Sequence, residues 1–206
     1  MTESIYSLVS KEVIVKSRVQ IFQHNTAIIK ANQTLTHLYY ILDGRAKIYH
    51  STEHGKDIFI HFLSANDWIG ELTFLGIEEE TKQVISIGET CVLAIPKHLV
   101  ENHLFSDKQF LIELNRFIGK KLLDRTHHFV KNQSYDLKYR LATFMIDMSH
   151  KAVYSEKHVN VVDYLGTSYR HLLQVLKDFQ DENYIEKIGQ STYRLNKAKL
   201  QDYYIH

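Results

Sequence analysis

Seven consecutive residues, Ser168-Tyr169-Arg170-His171-Leu172-Leu173-Gln174, combine a helix-opening hydroxyl with side chains able to read base edges. An Arg guanidinium pairs bidentately with guanine O6 and N7, and a Gln amide with adenine N6 and N7. Thr167 and Ser168 suit phosphate contact or the capping of free backbone N–H groups. A helix laid in the major groove presents to DNA the residues at its start and one turn on, here Ser168, Tyr169, Arg170, His171 and Gln174. His171 fits a phosphate-facing or core-edge position better than a pH switch.

Positioning such residues requires a particular local structure. The stretch Val161 to Ile185, VVDYLGTSYRHLLQVLKDFQDENYI, reads as a short helix, a turn at Gly166 and a longer helix opening at Ser168. Leu172, Leu173, Val175, Leu176 and Phe179 make an apolar stripe at helical spacing, with Tyr169, Arg170, Gln174, Lys177 and Asp181 opposite. Two helices joined by a short Gly-containing turn are the helix-turn-helix pattern; alone, the same pattern serves an ordinary helical hairpin. Downstream, Ile185 to Leu195 predicts strand, Gly turn and strand, a β-wing, and Asn196–Tyr204 a final short helix. Upstream, Tyr135–Met148 predicts a helix carrying Leu137, Leu141, Phe144, Met145 and Met148, followed by a loop or short strand over Ser149–His158.

Before these, Ser106 to Gln133 predicts one helix of roughly 42 Å at 1.5 Å per residue, capped by Ser106 with Asp107 behind it. Leu111, Leu114, Ile118, Leu122 and Phe129 recur at three- and four-residue steps, and Phe110, Phe117, Leu123 and Val130 widen the stripe. A helix this long with a near-heptad stripe needs a partner. The breadth of the stripe suits a second copy of the chain on one face and its own domain on the other. Gly119 permits close approach there, or weakens the helix if nothing approaches.

Residues 1–17 predict a short helix with Ile5, Leu8, Val9 and Val13 on one side. The segments AIIKANQ, HLYYILDG, RAKIYHS, KDIFIHFL, DWIGEL, KQVISIG and TCVLAIP are rich in β-branched and aromatic residues and are separated by polar or Gly-containing turns. They predict an antiparallel sandwich or roll, with a hairpin at T-E-H-G where Gly55 takes positive φ. The fold class is therefore α+β.

Composition narrows the chemistry. Of 206 residues 44% are hydrophobic and 24% charged, with one Pro and eight Gly, which argues against long linkers. The single Cys91 excludes a disulfide framework and Cys-rich zinc or iron–sulfur sites within one chain. There is no run of eighteen apolar residues and no signal-peptide core, so a cytoplasmic protein without a membrane partner is expected. A net charge of +1 means that any basic DNA-binding groups must be local. Among thirteen histidines none of the pairs His50/His54, His127/His128 and His150/His158 gives the i, i+4 spacing on a helix, with an added carboxylate, that marks a metal pair (His50 and His54 are four apart but fall in the expected hairpin), so no metal is expected; nothing favours a haem ligand. No nucleophile elbow, P-loop or paired-carboxylate motif marks an enzyme.

Taken in order, Y-I-L-D-G-R-A-K-I-Y (Tyr40–Tyr49), a hairpin, G-E-L (Gly70–Leu72), V-I-S-I-G-E-T-C-V-L-A-I-P, the long helix, K-Y-R-L-A (Lys138–Ala142) and the helix-turn-helix resemble the CRP/FNR family of bacterial transcription regulators over roughly residues 19–196. The resemblance implies a cyclic-nucleotide-binding-like β-roll over 1–105, a dimerisation helix over 106–133 and a winged helix-turn-helix domain over 134–206. It further implies a homodimer, held through Leu111, Leu114, Ile118, Leu122 and Phe129, on a palindromic duplex-DNA operator, commonly as an activator that engages RNA polymerase. The family's effector pocket maps to Gly70, Glu71, Leu72, Thr81, Arg125 and Thr126. Glu80 stands where cyclic-AMP binders place an arginine, beside Glu78 and Glu79, and Lys82 falls at the wrong phase of a strand to replace it. An acidic run repels a phosphodiester, so cyclic AMP is not expected, no cofactor is assigned, and the effector stays open. Gly70-Glu71-Leu72 can equally be a turn and helix start without ligand duty. The typical recognition phrase is S-R-E-T-V-x-R; here Arg170 replaces Glu and Gln174 the second Arg, so the operator should differ from the common one. The phrase S-Y-R-H-L-L-x-V-L resembles the YeiL-like branch of that family. A small-molecule, metal or haem sensor of the same fold, or a nucleotide-binding module without DNA activity, are the alternatives; the wing counts against the last.

Overall fold

The computed structural model describes residues 5–52, 55 and 57–205, the Ser7 side chain excepted. Glu53, His54 and Lys56, and with them most of the expected hairpin turn and the His50/His54 pair, lie outside the described residues. Gly55 does have φ +72°, and its N–H donates to the Thr52 carbonyl at 2.8 Å. The chain forms two compact units, residues 1–56 with 60–124, and residues 57–59 with 125–206.

The first unit is built on one sheet of β1 (Arg18–Phe22), β2 (Ala27–Ile29), β3 (His37–Ser51), β4 (Asp57–Ser64, whose first three residues group with the second unit), β5 (Trp68–Ile69) and β6 (Gln83–Pro96). The order is β1-β6-β3-β4, with β2 also on β6 and β5 on β3. Strand alternation feeds two cores. Leu38 and Tyr40 of β3 and Leu93 and Ile95 of β6 pack with the helices, while Tyr39, Ile41, Val92 and Ala94 fill the inside of the roll.

Two expectations about this sheet need correction. HLYYILDG and RAKIYHS are one strand, β3, and KQVISIG and TCVLAIP are one strand, β6; β1 was not among the expected segments. The glycines read as turns sit inside ladders. Gly44 (φ +91°) lies where the β3–β6 register shifts, and a Cβ there would stand 2.5 Å from the Glu89 carbonyl oxygen. A bulge with close backbone approach, not a turn, is what demands glycine. The bulge is fastened by the Thr90 hydroxyl donating to the Arg45 carbonyl at 2.8 Å.

The N-terminal helix is likewise two pieces, α1 (Ile5–Leu8) and α2 (Lys11–Lys16), because the Ser10 hydroxyl accepts from Val13 N–H and starts a new helix. Ile5, Leu8, Val9 and Val13 are all buried, as expected. Next come α3 (Glu71–Phe74) and α4 (Lys97–Leu99), the latter running into a π-helical turn, Val100–Leu104. The long helix α5 spans Lys108–Ser134. Its cap is Asp107 rather than Ser106: the carboxylate accepts from Gln109 N–H (2.7 Å) and Phe110 N–H (3.2 Å), a stronger acceptor one residue closer to the first turn.

The second unit holds α6 (Leu137–Met148), β7 (Val153–Ser155), α7 (His158–Leu165), α8 (Tyr169–Asp181), β8 (Ile185–Gly189), β9 (Thr192–Leu195) and α9 (Lys197–Leu200), closed by a 3-10 turn over Gln201–Tyr203. Its sheet order is β7-β9-β8, both pairs antiparallel. The last turns of α5 belong to this unit, so the helix is shared between the units instead of standing as a segment of its own. The reason is chemical: His128 and Asn132 of α5 bond to the end of α7.

Candidate functional site

Gly166 (φ +58°) ends α7, where Gly166 N–H donates to Asp163 O and Thr167 N–H to Val162 O. This left-handed stop is what glycine allows and other residues resist. Ser168 then opens α8 from extended backbone, its hydroxyl accepting from His171 N–H at 3.2 Å. The carbonyls at the end of α7 are held from two sides: Asn132 Nδ2 donates to Tyr164 O at 2.9 Å, and Arg140 donates to Leu165 O. The His128 ring stacks on Tyr164 with centroids 4.1 Å apart. Burial pushes the His128 imidazole below its usual pKa, aided by Lys131 and Arg140, against the opposing pull of the Tyr164 carbonyl. The turn before α8 is thus fixed by α5 and α6.

Leu172, Val175, Leu176 and Phe179 bury the inner face of α8. Tyr169, Arg170, His171, Gln174 and Lys177 are exposed together on the outer face, with Ser168 at its start; Thr167 is half-buried. Gln174 Nε2 donates to Asp178 Oδ1 at 2.8 Å, and Thr167 Oγ1 lies 3.5 Å from His171 Nδ1. Arg170 and Lys177 make no hydrogen bond or ion pair among the described residues. Leu173 corrects the expected stripe: it is 42% exposed. At about 100° per residue it lies beyond the edge of the arc from Val175 to Leu176.

The β8–β9 hairpin stands beside this helix. Tyr193 of β9 is buried with its hydroxyl 3.3 Å from His158 Nε2, and the His158 ring lies 6.0 Å from that of Tyr169. Burial lowers the His158 pKa, and Lys187 of β8 lowers it further. Arg194 pairs with Glu186 at 2.6 Å on the exposed face of the hairpin.

The residues expected around an effector are placed differently. Gly70 (φ +90°) caps α3, and the following Glu71 is buried with its carboxylate 2.8 Å from Lys121 Nζ of α5. The Glu71 carboxylate, expected at an effector, is therefore taken by the chain's own cation, and the turn-and-helix-start role is the one seen. Leu72 is half-buried. The buried Thr81 hydroxyl accepts from Gln33 N–H (2.8 Å) and donates toward Gln33 O (2.9 Å), tying down the loop before β3. A cavity of about 310 Å³ opens beside it, walled by Gln33, Leu35, Phe74, Glu79 and Glu80, with none of Gly70, Glu71 and Leu72 in its lining. Lys82 pairs with Glu78 ahead of β6, which starts at Gln83, so Lys82 is not on a strand. Arg125 and Thr126 fall in the second unit.

On α5 the expected partner-facing residues divide. Leu114 is 2% exposed in the helix-side core with Trp68 and Phe110, so it is a core residue and not an interface residue. Leu111 and Ile118 are half-buried against the same core. Leu122 (65% exposed) and Phe129 (64%) face outward with Leu123 and Val130. A Cβ on Gly119 would meet nothing within 4 Å, leaving room for approach from outside. Among the described residues no three His, Cys, Asp or Glu side chains cluster as a metal site, and no helix is long and apolar enough to cross a membrane.

Sequence reasoning missed the Glu71–Lys121 pair, which joins residues fifty apart and leaves no local signal, and it missed Leu173, whose exposure was readable from its helical angle.

Residues 19–107 match the cyclic nucleotide-binding domain family. The chain is similar to regulatory protein YeiL of Escherichia coli O157:H7, 31% identical over 92% of this chain and 86% of that protein. Two solved structures of transcriptional regulators from Thermus thermophilus, one of the CRP and one of the CRP/FNR family, share the fold with TM-scores of 0.66 and 0.67. They are 15% and 16% identical, covering 89% and 90% of this chain and 95% and 97% of theirs. A match of its roll to the cyclic nucleotide-binding domain family, together with 31% identity to YeiL over 92% of its length, makes the chain a member of the CRP/FNR family of transcriptional regulators.

Proposed function

We propose that the chain is a sequence-specific DNA-binding regulator in which α7, α8 and the β8–β9 hairpin act as a winged helix-turn-helix, with α8 in the major groove. The observation that carries this reading is the outer face of α8: Arg170 and Lys177 without partners among the described residues, beside Gln174, on a helix whose other face is fully committed to the core. Thr167, Ser168, Tyr169 and His171 complete the surface. The exposed apolar row Leu122, Leu123, Phe129 and Val130 on α5 supports a homodimer, and a twofold protein calls for an imperfect palindrome with half-sites about one helical turn apart. In this reading the dimer works in the cytoplasm as an activator that engages RNA polymerase.

Cyclic AMP is not its effector. Glu71 is occupied by Lys121, and the cavity at Thr81 is lined by three carboxylates, Glu79, Glu80 and Glu101, against one cation, Lys97. Calorimetric titration of cyclic AMP should show no heat of binding; micromolar affinity would overturn this part.

The test of DNA reading is retardation of genomic fragments by purified dimer at moderate salt. Discrete fragments should be retained, and Arg170→Ala should weaken binding by about 1–3 kcal/mol and relax the preferred sequence. No fragment retained, or an unchanged preference after the substitution, contradicts the assignment of α8.

A further inference from the structure

Leu173 is an apolar side chain on the polar face of α8. It is 42% exposed, one turn from Tyr169 (50% exposed), and it is flanked by Arg170 and Gln174. Four other apolar residues of the helix, Leu172, Val175, Leu176 and Phe179, are buried, so the core of the unit is complete without it. A single exposed leucine is ordinary on most surfaces. This one sits in the N-terminal half of α8, where a helix laid in the major groove turns its side chains to base edges. The cations beside it, Arg170 and Lys177, suit phosphate and base and leave no polar duty for leucine. The major-groove edge of the base pairs offers one apolar group, the C5-methyl of thymine.

We infer that Leu173 reads a thymine methyl group, an apolar specificity contact set at the edge of the face that carries the polar readers Arg170 and Gln174. The inference rests on the proposed placement of α8 in the major groove. It assigns each half-site at least one thymine whose methyl, rather than its hydrogen-bonding edge, is recognised.

Deoxyuridine keeps the pairing edge of thymidine and lacks only the methyl, which separates the two. The wild-type dimer first selects its site from random duplexes; each thymine of the half-sites is then replaced, symmetrically, by deoxyuridine. At one thymine per half-site the dissociation constant should rise roughly fourfold for each half-site replaced, the factor that corresponds to about 0.8 kcal/mol per buried methyl. Leu173→Ala should bind the thymine and uracil duplexes equally at that position. Arg170→Ala, although weaker, should keep the difference. Because Leu173 is exposed, Leu173→Ala should unfold at the wild-type urea midpoint; a lowered midpoint would make Leu173 a packing residue and overturn the assignment. A site with no uracil-sensitive position, or a Leu173→Ala variant that keeps the wild-type ratio, also overturns it and leaves Leu173 to a protein partner. Failure of the wild type to select any site would instead bring down the placement of α8, and this inference with it.

Discussion

Polar groups at the start of α3 and on the outside of α8 are treated in opposite ways. At α3 the Glu71 carboxylate is buried against Lys121, and ahead of β6 the Thr81 hydroxyl is consumed by the backbone of Gln33. On α8 the Arg170 and Lys177 side chains are exposed and bond to nothing among the described residues, and Leu173 is left uncovered beside them. Both regions were marked by residue type as binding sites, yet only one holds its chemistry open. Buried polar groups that are satisfied within the chain are committed to their partners and costly to orphan; exposed ones without partners are available to a ligand.

The comparison breaks most easily at Lys121. Lys121→Met strands a buried carboxylate and should destabilise the first unit by about 3–5 kcal/mol in urea unfolding, whereas adding Glu71→Leu should recover most of the loss. A loss under about 1 kcal/mol would mean that Glu71 is solvated and open to a ligand after all. The opposite behaviour is expected on α8. Arg170→Ala should leave the unfolding midpoint unchanged, within the roughly 0.5 kcal/mol usual for surface sites, while weakening specific DNA binding by about 1–3 kcal/mol. Thr81→Val orphans Gln33 N–H and should cost about 1–3 kcal/mol of stability by urea unfolding, with DNA affinity unchanged for whatever fraction is folded. Ser168→Ala, which removes the cap on His171 N–H, should cost about 1 kcal/mol by thermal melting and straddles both categories.

The smallest effect is on pH. Burial holds the His128 and His158 pKa values below the ordinary 6.5, so as pH falls the unfolded chain takes up protons before the folded one does. The second unit should keep its full stability above about pH 6.5 and lose it progressively as pH drops toward the folded values. Urea midpoints at about pH 7.5 and 5.5, on either side of the ordinary histidine value, check this: the wild type should be less stable at the lower pH, and His128→Gln should show a smaller difference. Equal midpoints in the wild type would mean that neither ring is constrained.

Local features were legible in the sequence. Gly166, Ser168 and the 3.6-residue apolar period delimit α7 and α8 because turn, cap and stripe are all encoded within a few residues. The strand pattern gave the roll but not its continuity, because Gly44 looks like a turn until the Glu89 backbone is seen pressed against it from a strand distant in sequence. The same limit hid the ion pair at Glu71. It also placed Leu114 at a dimer surface, since an apolar period on α5 cannot say which of two faces meets Trp68 and which meets another molecule. Thr81, one of the expected effector residues, lines the cavity of about 310 Å³, but the chain itself uses its hydroxyl.

The claim that α8 is the open, reading surface is tested most directly by the affinity ratio between the dimer's selected site and random duplex, measured for wild type and Arg170→Ala at one fixed salt concentration. The wild-type ratio should be at least about a thousand, the low end for specific DNA binders, and the ratio should fall by about five-fold or more in the variant with folding intact. A wild-type ratio near one, or a variant ratio equal to the wild type, would contradict it.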